Sequence, residues 1–179
     1  VTLGAELEMY LVDQDFAPLP INQQLIAELD NPQLQTELNQ YNLEFNLLPV
    51  AAKGKPFSAM AGQLGKTLSA LNGKISQYDG QILSIGILPT LKSSHLSRDY
   101  MTDIPRYHVL AQQLLKQKGS NFNIHINGED QLKTSSDQVT LEGANTSFQL
   151  HLKTPVSKFK DMFNAAQLVT PLVTAIAAN

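Results

Sequence analysis

The first twelve residues alternate between apolar and other side chains, and this period of two limits what the chain can fold into. The odd positions from Leu3 to Leu11 are all apolar, whereas the even positions include Glu6 and Glu8. Successive side chains of a β-strand point to opposite faces, so alternation over 2–12 is typical of a strand with one buried face. The segment is therefore predicted to be a half-buried strand whose second face carries carboxylates.

The rest of the chain predicts a mixture of helices and strands. Further strands are predicted at 43–48, 81–89, 121–126, 138–141 and 147–153, and helices at 21–29, 56–78, 106–117 and 156–178. A polar, turn-rich connection is predicted at 127–137, and Pro171 is expected to kink or divide the last helix. Because strands and helices do not alternate regularly, the order favours an α+β fold with an antiparallel sheet.

The composition excludes several classes of function. The chain has 179 residues and no cysteine, which excludes disulfide scaffolds, thiolate metal sites and cysteine nucleophiles. Its net charge of −3 provides no basic field for nucleic acid. No apolar run reaches the roughly 18 residues of a membrane span. We therefore expect no nucleic-acid or membrane partner and a cytoplasmic location. The sequence begins without a methionine and ends within an apolar stretch, so we expect it to be a fragment of a longer protein.

Glu6 and Glu8 form the strongest chemical feature of the sequence. Residues two apart on a strand share a face, so the two carboxylates are expected roughly 6–7 Å apart. Like charges at that distance raise each other's pKa unless a cation lies between them. The alternative is an ordinary solvated sheet face, and this pair alone does not decide between the two interpretations.

Two further segments extend this polar pattern. Glu37 and Glu44 are seven residues apart, so they share a face only if the chain bends around 40–42; otherwise both are solvated. Gln149 and His151 share one face of the last predicted strand, which could equally be an exposed hairpin strand. Placed side by side, the three predicted strands would form a sheet with one apolar face and one carboxylate-rich face. Because Mg²⁺ takes oxygen ligands and often holds phosphate, we hypothesise a nucleotide–metal site.

Two other sequence features are not interpreted as functional sites. Residues 62–67, GQLGKT, resemble part of a phosphate-binding P-loop, but Met60 replaces the first glycine and the segment lies inside a predicted helix. The histidines at positions 95, 108 and 125 show no metal-ligand spacing and are interpreted as surface or loop residues.

Five segments of the chain carry a family resemblance. Residues 4–13 read GAELEMYLVD, 37–38 and 43–46 read EL and LEFN, 104–107 read IPRY, 146–152 read TSFQLHL and 171–179 read PLVTAIAAN. In order and rough spacing they resemble the G-x-E-x-E-x-x-L-V-D strand and four later motifs of glutamate–cysteine ligase family 2. That family includes plant and proteobacterial glutamate–cysteine ligases and related carboxylate–amine ligases.

The resemblance implies a glutamine-synthetase-like fold, in which an antiparallel sheet forms an open half-barrel backed by helices. Residues 1–179 would be the N-terminal portion of a single catalytic domain, inactive without the C-terminal half of the same chain. The implied reaction uses ATP and Mg²⁺ to join L-glutamate to L-cysteine through an acyl phosphate, the first step of glutathione biosynthesis. The alternatives are a ligase of the same family with another amine acceptor and a non-catalytic binding module.

The resemblance also implies roles for individual residues. Four carboxylates would ligate Mg²⁺: Glu6, Glu8, Glu37 and Glu44. Gln149 and His151 would lie beside the metal or the nucleotide. Arg106 would act in catalysis and contact the glutamate substrate, since arginine suits bidentate recognition of carboxylates. Tyr107, which would pack beneath it, and Asn46 would contribute to substrate binding.

Overall fold

The computed structural model describes residues 1–177, which form a main antiparallel sheet, a separate hairpin and four α-helices. The strands are β1 (Thr2–Val12), β2 (Leu34–Thr36), β3 (Asn42–Asn46), β4 (Val50–Ala51), β5 (Gln81–Leu83), β6 (Phe122–Asn127), β7 (Gln131–Ser136) and β8 (Phe148–Lys153). The helices are α1 (Asn22–Leu29), α2 (Pro56–Ile75), α3 (Pro105–Lys118) and α4 (Phe159–Ile176). The predicted α+β class with an antiparallel sheet is confirmed.

β1 is the central strand of the main sheet, and all of its neighbours run antiparallel to it. Along one edge it pairs with β3 and β4, and along the other with β8 and β5. β2 extends the sheet beyond β3. Among the described residues neither β2 nor β8 pairs with a further strand, so the sheet is open.

The odd-numbered face of β1 forms the main hydrophobic core with α1 and α2. The buried residues of this core include Leu3, Ala5, Met9 and Leu11 of β1, Leu25 of α1 and Met60, Leu71 and Ile75 of α2. The helix predicted at 56–78 is confirmed as α2 followed by a short 3-10 turn, Ser76–Tyr78. It runs unbroken through residues 62–67, so this segment is not a phosphate-binding loop.

The even-numbered face of β1 is divided into two halves. Towards the end of the strand, Tyr10 and Val12 are fully buried in a second cluster with Tyr41 and Leu88. The rings of Tyr10 and Tyr41 stack with centroids 5.8 Å apart and planes within 5°. Towards the start of β1 the same face is only partly covered. Polar side chains are therefore accessible only on that half of the face.

Several predicted elements were wrong. The strand predicted at 138–141 is a turn, and the stretch 127–137 contains β7, which pairs with β6 as a hairpin. β7 is mostly polar and exposed, so backbone pairing rather than a buried apolar face defines it. The strand predicted at 81–89 is shortened to β5, because the chain leaves the edge of β1 after Leu83.

The last helix is continuous through Pro171 and is not divided. It begins after a 3-10 turn, Val156–Lys158, and residue 178 of the predicted helix lies outside the described residues. Many of its apolar side chains are exposed, including Leu168 at 79% and Ile176 at 86%. No helix within residues 1–177 has the length and apolar character needed to span a membrane.

Replacing Leu71 with alanine tests the packing of α2 on the sheet. Leu71 has no exposed surface, so Leu71→Ala should lower the free energy of unfolding by about 2–5 kcal/mol through lost burial and a residual cavity. Urea denaturation of the full-length protein measures the change. The same substitution at Leu48, which is 60% exposed, should cost far less. Equal losses for both variants would contradict the assigned core.

Candidate functional site

The candidate site lies on the open half of the even-numbered face of β1. Strand pairing places Glu6 opposite Asn46 and Glu8 opposite Glu44 of β3. Directly opposed side chains of an antiparallel pair lie within about 5.5 Å, so two carboxylates there repel each other. The Asn46 amide donates a 2.5 Å hydrogen bond to Glu44 Oε1, which partly offsets this repulsion.

The other edge of β1 brings the polar residues of β8 to the same glutamates. Gln149 pairs opposite Glu6, and the Nε2 atom of His151 lies 3.4 Å from Glu6 Oε1. The Glu8 carboxylate accepts three hydrogen bonds: from the Ser147 N–H at 2.9 Å, the Ser147 hydroxyl at 3.2 Å and the Gln149 amide at 3.3 Å. These three hydrogen bonds fix the orientation of the Glu8 carboxylate.

Glu37 joins the cluster from a different element. The chain bends between the end of β2 and the start of β3, as the sequence required for Glu37 and Glu44 to share a face. Burial, followed by the negative charges of Glu44 and Glu8, raises the pKa of Glu37 to about 7. Near neutral pH, and without a bound cation, Glu37 therefore holds a proton part of the time.

Arg106 and Tyr107 lie at the start of α3. Tyr107 contacts Thr36, which immediately precedes Glu37 in the sequence. The Tyr107 hydroxyl donates a 2.8 Å hydrogen bond to the Thr36 carbonyl, which ties the helix start to the end of β2. The Arg106 guanidinium lies 4.6 Å from the centre of the Tyr107 ring and donates to its hydroxyl at 2.6 Å. Within residues 1–177 no carboxylate lies within 4.0 Å of Arg106, so its other donors are available to a ligand.

Comparison with known proteins identifies the family. The model of glutamate–cysteine ligase family 2 matches residues 2–179, nearly the whole chain. The chain belongs to this family. No curated protein and no solved structure matches it. The resemblance seen in the five sequence segments is thereby confirmed, and membership of this ligase family suggests an ATP-dependent carboxylate–amine ligase.

The side chains at the site fit a hard cation in their chemistry but do not enclose one. Among the described residues, no group of three or more histidine, aspartate or glutamate side chains is arranged to hold a metal ion. Mg²⁺ commonly binds through one or two carboxylates and fills its remaining positions with water and substrate phosphate. The neighbouring glutamates of β1 and β3 suit that mode of binding. A cation would relieve the repulsion that, after burial, contributes to the raised pKa of Glu37.

Sequence reasoning missed Ser147, which contributes two of the three hydrogen bonds to Glu8. The sequence shows Ser147 next to Phe148, but the contact of Ser147 with Glu8 depends on the register between β8 and β1. The histidines interpreted as surface or loop residues have other neighbours. His95 accepts a hydrogen bond from the Lys92 N–H, and His108 lies 2.9 Å from Asp103.

The raised pKa of Glu37 predicts a pH-dependent stability. In the folded protein its pKa is about 7, against an ordinary value of 4.5, so between these values the folded state binds more protons than the unfolded state. The free energy of unfolding of the metal-free protein should therefore fall as the pH rises from 5 to 8. Glu37→Gln should reduce this slope and be more stable than the wild type at pH 8.

Urea denaturation at several pH values, with a chelator present, measures both effects. Glu28→Gln is the matched control, because Glu28 pairs with Lys74 and its pKa is lowered rather than raised. In the Glu28→Gln control, the free energy of unfolding should decline above pH 5 as it does in the wild type. An unchanged slope in the Glu37 variant would show that Glu37 is not the titrating group.

Proposed function

We propose that the protein is an ATP- and Mg²⁺-dependent ligase that joins L-glutamate to L-cysteine to give γ-glutamylcysteine, the first step of glutathione biosynthesis. The observation that carries the proposal is the gathering of Glu6, Glu8, Glu37 and Glu44 on one face of the sheet. In a chain of this ligase family, such a carboxylate cluster suits a reaction between anions that needs a divalent cation.

The proposed reaction has two transfers. A γ-carboxylate oxygen of glutamate attacks the γ-phosphorus of ATP, and ADP leaves. The cysteine amine then attacks the acyl carbon, phosphate leaves and the nitrogen loses a proton. When bound, Mg²⁺ neutralises the negative charge of the transferred phosphoryl group. The four glutamates would hold it together with water and phosphate, with Gln149 and His151 beside the metal or the nucleotide.

Three further residues are proposed to contact the substrate or to hold a residue that does. Arg106 would bind a carboxylate of glutamate, because its guanidinium is exposed and has one hydrogen-bond partner within residues 1–177. Tyr107 would hold that guanidinium in place through the stacking and the hydrogen bond already described. Asn46, whose amide contacts Glu44, would contribute a polar contact to the substrate.

Several expectations accompany this proposal. The partners would be ATP, L-glutamate and L-cysteine or another small amine, together with the C-terminal half of the same chain. Residues 1–179 would be the N-terminal portion of one catalytic domain, inactive alone and with a glutamine-synthetase-like half-barrel sheet. A cytoplasmic location stays a prediction.

Phosphate release by the full-length protein tests the proposed reaction. With ATP, Mg²⁺ and L-glutamate, addition of L-cysteine should strongly increase the release of phosphate and yield γ-glutamylcysteine, which mass spectrometry detects. Release triggered by another amine but not by cysteine would change the acceptor. A folded protein that releases no phosphate with any amine would contradict the ligase proposal and favour a non-catalytic binding module.

Glu8→Gln tests the metal assignment within the same assay. The substitution keeps the shape of the side chain and removes its charge, so Mg²⁺-dependent ATP turnover should fall by at least about 100-fold. The melting temperature should change little. Glu28→Gln on α1, where the Glu28 side chain pairs with Lys74, should retain wild-type turnover. Near-normal turnover in the Glu8 variant would rule out Glu8 as a metal ligand.

A further inference from the structure

A cavity of about 300 Å³ opens beside the glutamate cluster, at the start of β1. Three of its lining residues, Glu6, Asn46 and His151, belong to the site already described. Its other end is formed by residues with no assigned role, among them Gly4 and Lys153. The volume lies at the lower end of the ~300–1,000 Å³ that small-molecule sites usually occupy.

Lys153 provides the positive charge at that end of the cavity. It is the last residue of β8, pairs opposite Thr2 and shares a strand face with Gln149 and His151. These three side chains form a row with a spacing of about 7 Å, which leads away from the glutamates. Within residues 1–177 no carboxylate lies within 4.0 Å of the Lys153 ammonium. Its charge is therefore available to an anion.

Gly4 leaves the space that such an anion needs. Its backbone does not have a positive φ, so no strained conformation requires glycine there. A Cβ atom at this position would meet only the Cβ of His151, at an ordinary distance of 3.7 Å. Glycine weakens the interior of a strand, and here the fold does not demand it. What glycine provides at position 4 is an open cavity floor.

The charge distribution then decides the chemistry of the ligand. An anionic substrate entering beside Glu6 is repelled by its carboxylate, and Lys153 is the only lysine or arginine among the cavity-lining residues. We propose that this cavity is an oxyanion subsite, in which Lys153 binds a carboxylate or phosphate group of a substrate and Gly4 provides the room. The inference rests on the proposed ligase function and extends it to residues outside the glutamate cluster.

Isothermal titration of the full-length protein tests the charge. L-glutamate and a non-hydrolysable Mg²⁺–ATP analogue are titrated separately into the wild type and Lys153→Met. The variant should bind one of the two ligands about tenfold or more weakly, as expected for the loss of a charged hydrogen bond. A loss for glutamate identifies a carboxylate, and a loss for the nucleotide identifies a phosphate. Lys158→Met, in the turn after β8 and outside the cavity lining, should bind both normally.

Gly4→Val tests the space independently of the charge. Valine suits a strand, so the melting temperature should not fall, whereas the ligand that Lys153→Met weakens should again bind less tightly. Wild-type affinities for both ligands in both variants would overturn the subsite and leave the ligase function intact. A wild-type protein that binds neither ligand would overturn the proposed function and this inference with it.

Discussion

The antiparallel pairing of β1 along both of its edges is the interaction on which the rest of the structure depends. Every residue from Thr2 to Val12 has a partner on β3, β4, β5 or β8. With the strand held on both sides, its alternating side chains can only point to the two faces of the sheet. One face is covered by α1 and α2, and the other carries the glutamates. The core and the candidate site therefore lie on opposite faces of the same strand.

The carboxylates gathered on the even-numbered face of β1 destabilise the folded protein. Glu8 faces Glu44 across the strand pair, and burial, followed by repulsion from Glu44 and Glu8, raises the pKa of Glu37. Within residues 1–177 the Glu8 carboxylate accepts three hydrogen bonds, whereas the Glu37 carboxylate accepts one, from the Leu38 N–H. Perturbed groups of this kind cluster at functional sites, where a ligand supplies the missing charge.

The elements that were predicted correctly have strong periodicity over many residues. β1 and α2 each have a repeating apolar pattern that identifies both the type of element and its buried face. The alternation in β8 identifies the strand, although all of its residues are exposed. The hairpin of β6 and β7 shows the limit of this reasoning. Residues 131–136 have no buried side to create a pattern, so turn-like composition suggested a connection where the backbone forms a strand. The strand predicted at 138–141 was wrong because its apolar residues, Val139 and Leu141, are packed within a turn.

The sequence by itself determined the α+β class, the two faces of β1 and the membership of the ligase family, since local periodicity and short motifs carry that information. Only the tertiary structure decided which polar residues meet. The approach of Glu37 to Glu44 depends on a bend, and the contacts of Ser147 with Glu8 depend on pairing between positions 139 residues apart. Register between distant strands is set by the packing of the whole sheet, and no local pattern encodes it.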